Sequence, residues 1–345
     1  MSVTTVLVDS TGDPSASPAD LAVTSRAAEE AGYDGFFVPE TQHDPFIALA
    51  LAARATERVT LLSGIVVAFA RSPMTTAISA NDVQELSGGR FVLGLGSQVK
   101  PHIERRFAMP WSSPAARMED YVRAVRAIWT AWETGEPLRH EGPFYQLTLM
   151  TPMFSPGPNP HGNPPIHLAA VGGLMTETAG RVADGLIAHP LTTPDYLREV
   201  TVPALEKGRA ESELALPPVV SLPAFVALGE SRAQLDAALT GVRKQLAFYG
   251  STPAYRVVLE HHGWHALHER LHAMSRRGEW TSMADEIDDD VVAAFAVVGT
   301  PEEAARDLRS RFSGLVDRLS FSMPYAVDPS LTARLARLLQ AGSAS

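Results

Sequence analysis

The run Val59-Thr60-Leu61-Leu62-Ser63-Gly64-Ile65-Val66-Val67 is followed by Pro73 to Ser87, and that by Phe91-Val92-Leu93-Gly94-Leu95. The first and last pieces are short, unbroken apolar runs and read as strands. The middle piece reads as a helix that Pro73 opens at its first turn and Gly88-Gly89 stops. Apolar runs that do not alternate with polar residues imply burial on both faces, and hence a parallel sheet.

The same strand–helix rhythm extends in both directions from this segment. Toward the N-terminus, Val3–Val8 is a β-branched run. A helix Pro18–Ala31 follows, with Leu21, Ser25 and Ala28 on one side and Gly32 at its C-cap. Gly35–Val38 is the next buried strand and Pro45–Arg54 the next helix. Toward the C-terminus come a loop with Pro101 and Pro110, a helix Pro114–Glu133, and a Pro/Gly-rich loop Gln146–Pro165. That loop exceeds the usual connection length, and such loops tend to be functional. Ile166–Ala170, a helix from Met175, Gly185–Ala188, a helix near Pro194–Glu211, Val219–Ala227 and a helix Ser231–Phe248 continue the pattern. A helix Pro301–Phe312 and a strand Leu315–Phe321 close it. Alternation repeated about eight times favours an α/β fold of the (β/α)8 TIM-barrel type over an open doubly wound sheet. Between Thr252 and Asp290 the rhythm gives way to extra helical material before Val291 resumes it, which predicts a helical insertion ahead of the last strand.

Composition narrows the function. The 345 residues are 45% apolar and 20% charged, with 25 Gly and 26 Pro, which suits a globular chain with a full core. The absence of Cys removes disulfides, thiolate nucleophiles and Cys-ligated zinc. Lys plus Arg number 29 against 39 Asp plus Glu, giving −10, so a general nucleic-acid binder is not expected. Phe46–Ala53 and Val291–Val298 fall short of the ~20 residues of a membrane helix. The start Met1-Ser2-Val3-Thr4 lacks a basic region with an apolar stretch behind it. The expectation is a cytoplasmic protein with a small-molecule substrate and neither nucleic-acid nor membrane partners.

Two motifs need weighing. Gly94-Leu95-Gly96-Ser97-Gln98-Val99 begins like a dinucleotide fingerprint, but Val99 stands where the third glycine belongs and Lys100-Pro101 follows, so the fingerprint fails. A small-residue strand end survives, where backbone can approach a flat ligand. His268-Glu269-Arg270-Leu271-His272 is a literal H-E-x-x-H, in which two histidines would bind zinc and Glu269 activate water. Its extended form would need glycine and histidine where Ser275 and Gly278 stand; Glu302 or Glu303 could supply a third ligand. The plainer reading is a polar-faced helix with Leu267, Leu271 and Met274 packed inward. Zinc hydrolysis is kept only as a rival from another class.

Leu62 to Met74, Leu86-Ser87-Gly88-Gly89-Arg90 into Phe91–Gly96, Ile166–Gly173 and Gly180-Arg181-Val182-Ala183-Asp184-Gly185 together resemble the luciferase-like monooxygenase superfamily. Within it they are similar to the coenzyme F420-dependent oxidoreductases. The resemblance runs in order from the first strand to Asp317-Arg318. It implies one TIM-barrel domain over residues 1–345, with the insertion at about 252–290. It also implies a cofactor at the C-terminal strand ends and a homodimer.

By resemblance, the third strand ends in a non-prolyl cis peptide joining Gly64 to Ile65, with Ile65 backing the cofactor ring. Val171-Gly172-Gly173, ahead of a helix, would seat the cofactor phosphate on free amides. The basic cluster Lys100-Pro101-His102-Ile103-Glu104-Arg105-Arg106 follows the fourth strand. F420 carries a lactyl phosphate and a glutamate tail, so Lys100 and Arg106 are expected to contact them. The full expected cofactor set is Gly64, Ile65, Val66, Ser97, Gln98, Lys100, Arg106, Ala170, Val171, Gly172, Gly173 and Thr176.

Pro39-Glu40-Thr41-Gln42-His43-Asp44 ends the second strand, where the superfamily places an acid followed directly by His. Here Glu40 fits the acid, Thr41 takes the histidine's place, and His43 is two residues further on. His43 is the expected proton carrier, with Glu40 as its acidic companion; capping of the Pro45 helix is the alternative role for His43. Phe69, Trp111 and Met150–Phe154 are expected to wall an apolar substrate pocket. The expected reaction is hydride transfer between the deazaflavin C5 and a small organic substrate. The nearest rival keeps the fold and uses FMN as a monooxygenase.

Overall fold

A computed structural model of the chain describes residues 6–341. The expectations placed on Met1–Thr4 and on the start of the Val3–Val8 run lie outside these residues.

Eight parallel strands close into a barrel. They are β1 (Leu7–Thr11), β2 (Gly35–Val38), β3 (Thr60–Ser63), β4 (Phe91–Gly96), β5 (Ile166–Ala170), β6 (Gly185–Ala188), β7 (Val219–Leu228) and β8 (Arg318–Ser322). Each pairs with its successor in sequence, and Leu7↔Arg318 closes the ring between β1 and β8. Both faces of the strands are buried, as in Gly35–Val38, all four of whose residues are buried. The outer faces meet the helices in one large core. Inside the barrel Phe37, Leu62 and Ile187 pack together, with Ile65, Val92 and Ala169 against them. Burial of each such Leu, Ile or Phe contributes about 1.5–3 kcal/mol. Lower in the barrel, Arg318 grips buried Asp9, its Nε donating to Oδ2 at 2.9 Å.

The expected helices form with their signals in place. Ser17, Asp44, Ser72 and Ser231 cap the helices that follow them, and Thr300 with Glu303 makes a capping box at Pro301–Phe312. The insertion lies between β7 and β8. Its helices Arg256–His261, His265–Arg277 and Asp289–Phe295 bury Leu259, Leu271, Val291 and Phe295 against the helix Arg232–Gly250.

Three details differ from the sequence reading. The run Val291–Val298 is no single strand: Asp289–Phe295 is helical, capped by Asp288, and only Ala296–Gly299 is extended. That short strand is not one of the eight. Phe225 pairs with Ser322 on one edge and Ala296 on the other, so Ala296–Gly299 continues the edge of β7 beyond the end of β6. The run Val59–Val67 is interrupted after Ser63, and Val66–Val67 re-pairs with Leu95 and Gly96. A last helix, Pro329–Ala341, had no counterpart in the sequence reading.

Candidate active site

The ends of β2, β3, β4 and β5 lie side by side on the C-terminal rim, because these strands are consecutive neighbours in the barrel. That is the face on which TIM barrels build their sites.

After β2, Glu40 accepts a hydrogen bond from the Val67 amide at 2.7 Å and from Arg71 Nη1 at 2.8 Å. Arg71 Nη2 donates to Asp44 Oδ2 at 2.8 Å. Burial opposes the guanidinium charge, but Asp44 and Glu40 outweigh it and hold the Arg71 pKa above its ordinary value. Both Glu40 oxygens are engaged, so this carboxylate ties β2 to the segment after β3. Asp44, rather than His43, caps the Pro45 helix, accepting from the Phe46 amide at 2.8 Å. His43 stands exposed on the loop between them.

At the end of β3 the Gly64–Ile65 peptide is cis. Ile65 is half-buried and leans over β4, where a Cβ at Gly96 would come within 2.8 Å of its side chain. Ser63 Oγ accepts from the Gly94 amide at 2.8 Å and donates to the Gly94 carbonyl at 2.9 Å, fixing β3 to β4. Val66 has its side chain fully buried in the outer core, so only its backbone is available to a ligand.

Beyond β4, Ser97 and Gln98 are half-buried, and Gln98 adopts a left-handed φ of 59°. Lys100 is exposed and pairs loosely with Glu104 at 3.8 Å. Arg106 donates to the Thr41 carbonyl, joining the β4 loop to the β2 loop.

Beyond β5, Ala170 is buried in the outer core and Gly172 is the N-cap of the helix Gly173–Val182, without any side-chain cap. The amides of Gly173, Leu174 and Met175 therefore have no partner among the described residues. A Cβ at Gly172 or Gly173 would meet nothing within 4 Å, so the space above them is open. Val171 is fixed from behind, its carbonyl accepting from Tyr196 Oη at 3.1 Å. Thr176 is a correction: it is buried and its hydroxyl donates to the Gly172 carbonyl at 3.1 Å, so it holds the turn instead of facing outward.

Phe69 is a second correction. It is fully buried, with the Trp111 ring edge-on at 5.7 Å and the Arg117 guanidinium at 4.4 Å, so it supports a wall without lining it. Trp111 is half-buried, while Met153 and Phe154 are exposed.

The H-E-x-x-H segment lies on the helix His265–Arg277, with Leu267 and Leu271 buried as the plainer reading of it expects. His268 Nδ1 bonds the Gly250 carbonyl at 2.7 Å and His272 Nδ1 the Ser251 carbonyl at 3.0 Å, which serves the C-terminal end of the helix Arg232–Gly250. Glu303 is spent on its capping box and Glu302 on Arg334. Among the described residues no three His, Asp or Glu side chains are grouped to hold a metal.

Sequence reasoning passed over His189, directly after β6. Its Nδ1 accepts from the Leu191 amide at 3.0 Å, and its ring lies 4.6 Å from Tyr249 and 4.1 Å from Tyr255. The available signal was a histidine at the C-terminal end of a barrel strand. Beside it a cavity of about 10 Å³, bordered by Ala170, Tyr196 and Thr192, contains the partnerless Thr192 hydroxyl and has room for about one water.

Comparison with known proteins gives three kinds of finding. The family described as luciferase-like monooxygenase matches residues 1–318. An uncharacterised protein of Mycobacterium tuberculosis is 52% identical over 302 residues, 87% of this chain and 88% of that protein. The 5,10-methylenetetrahydromethanopterin reductase of Archaeoglobus fulgidus is 24% identical over 319 residues, 90% of this chain and 91% of that one. Among solved structures, the coenzyme F420-dependent tetrahydromethanopterin reductase from Methanopyrus kandleri superposes with a TM-score of 0.79. It covers 97% of both chains at 21% identity, a likeness of fold.

Proposed function

The chain belongs to the luciferase-like monooxygenase family, and from that premise we propose that it is an F420-dependent oxidoreductase acting on a small organic substrate. The observation that carries this reading is the open, glycine-flanked helix N-terminus after β5, one strand away from Lys100 and Arg106. Three amides with no partner among the described residues, at the positive end of a helix, with two cations on the loop after the neighbouring strand, suit a ligand that is flat at one end and anionic at the other. The residues present fit such a group. Half-buried Ile65 and Ala169 offer an apolar floor, and the open space over Gly172 and Gly173 admits a phosphate.

When bound, F420 supplies hydride chemistry at its C5. The chain does the remainder. Ile65 supports the ring, and the Gly173, Leu174 and Met175 amides hold the phosphate. Lys100 and Arg106 attract the acidic tail. The Glu40–Arg71 pair fixes the segment Val66–Val67, and exposed His43 exchanges the proton with solvent. Trp111 and Met150–Phe154 bound the substrate space. The Methanopyrus kandleri reductase named above, which shares this fold, is a coenzyme F420-dependent enzyme, and the choice of cofactor is in keeping with that likeness.

No helix among the described residues is long and apolar enough to cross a membrane, and the proposal includes a cytoplasmic protein. It also includes a homodimer. Ile47, Leu51 and Ile78 leave large apolar side chains exposed on two adjacent helices, and light scattering at micromolar concentration reads the mass directly.

The test is a fluorescence titration of purified protein with F420 and with FMN. Saturable F420 binding supports the reading. Tight FMN binding with none for F420 replaces it with the FMN monooxygenase.

A further inference from the structure

We propose that His189 is a further site residue whose Nε2–H donates a hydrogen bond to the oxygen of a carbonyl or alcohol substrate at the barrel mouth. The inference rests on the reading above, since it places the substrate on the same rim as the cofactor.

Four observations lead there. His189 follows β6 directly, and Ile187, two residues earlier, packs inside the barrel with Phe37 and Leu62. Strand alternation therefore sends His189 to the same side, one step nearer the mouth. Its ring is held on two sides by Tyr249 and Tyr255, so its orientation is set before any ligand arrives. Nδ1 accepts from the Leu191 amide, and a nitrogen that accepts carries no hydrogen; the proton of the neutral ring must sit on Nε2. That Nε2–H has no partner among the described residues, which is the condition of a donor waiting for a ligand.

Burial pushes the His189 pKa down to about 3, so the ring stays neutral throughout the physiological range. A neutral imidazole of this kind does not give up its proton; it polarises an oxygen while keeping it. In the reducing direction, the substrate carbon gains a hydride with its electron pair from the reduced deazaflavin proposed above, which is thereby oxidised; the C–O π bond opens onto oxygen, and that oxygen takes one proton, for which His43 is the carrier named in the proposed function. His189 bonds the oxygen as its charge grows and ends with the proton it began with. In the oxidising direction every transfer reverses, and His43 receives the proton. The proposal thus divides labour between an exposed histidine that hands the proton over and a caged one that keeps its own.

The experiment uses the full chain with ¹⁵N-labelled histidine, the His189 signal being assigned by its absence from H189F. Cyclohexanone serves as the carbonyl probe and methylcyclohexane as its oxygen-free counterpart, each with and without F420. The expected result is an Nε2-protonated tautomer that is unchanged from pH 5 to 8. Its Nε2 signal moves with cyclohexanone and stays still with methylcyclohexane. H189F keeps the ring and loses the donor. It should weaken cyclohexanone at least tenfold and leave F420 affinity within twofold. A His189 signal that ignores cyclohexanone, responds equally to the hydrocarbon, or reports an Nδ1-protonated ring overturns the proposal. Failure of F420 to bind is read separately, in the cofactor titration, and counts against the cofactor reading alone.

Discussion

Arg71 is the residue on which two strand ends depend. It is largely buried and bonds both Glu40 and Asp44, and Glu40 in turn accepts from the Val67 amide. Arg71→Met would leave Glu40 without its counter-charge at a nearly buried position, where losing one partner of a pair costs about 3–5 kcal/mol. A urea midpoint lowered accordingly, with unchanged slope, is the expected result; a shift under about 0.5 kcal/mol would contradict this role. Adding Glu40→Met should restore part of the loss. Lys100 is the opposite kind of residue, exposed and loosely paired. Lys100→Ala should leave stability alone, weaken F420 binding and make that binding less salt-dependent; an unchanged affinity would remove Lys100 from the site. At this scale the sequence is a poor guide. Glu40 and His43 share one loop, yet only the fold reveals that Glu40 is held by an arginine 31 positions later. Phe69 reads as a pocket wall until Trp111 and Arg117 are seen to enclose it. His268 and His272 have zinc spacing, but their ring nitrogens go to carbonyls that no local pattern announces.

Among the elements, the helix Gly173–Val182 matters most, because its first turn is uncapped and open. Gly172→Asp would supply the missing cap, and no atom obstructs a side chain there. The expected change in stability is small and favourable, about 0.5 kcal/mol or less. F420 affinity should fall at least tenfold, because a carboxylate would occupy the space assigned to the phosphate. Unchanged affinity would mean that the phosphate sits elsewhere. Legibility varied among elements for identifiable reasons. Pro18–Ala31 and Pro301–Phe312 were readable to the residue, since proline at the first turn and a capping side chain mark their starts. Val291–Val298 was not, because a short apolar run does not distinguish a buried strand from a buried helix end. Pro329–Ala341 carries the helical signal in its sequence, since Leu331, Leu335 and Leu339 recur at helical spacing and are buried.

For the whole molecule, the barrel follows from uninterrupted apolar strands, which only a parallel sheet covered by helices can bury. Its interior contains a cost visible in solution. Burial pushes His167 down to about 4, helped by the nearby Arg318 charge and opposed by Asp184. His189 is pushed to about 3 by burial alone. About a unit or more above pH ~6.5 both are neutral folded and unfolded, and their ionisation does not affect stability. As pH falls below that, the unfolded chain takes protons the folded chain refuses. Each histidine then removes up to about 1.4 kcal/mol per pH unit. Urea midpoints between pH 6.5 and 5 should decline with acid, and His167→Asn should make that slope shallower. A flat profile would contradict the buried, neutral state of both rings.

The central claim concerns location: F420 lies across the ends of β3, β4 and β5. Hydrogen–deuterium exchange of the whole chain, with and without saturating F420, tests it most directly. The account predicts protection gathered at Gly64–Val67, Ser97–Arg106 and Val171–Met175, with the outer helices unchanged. Protection absent from these three segments while F420 is demonstrably bound would contradict it.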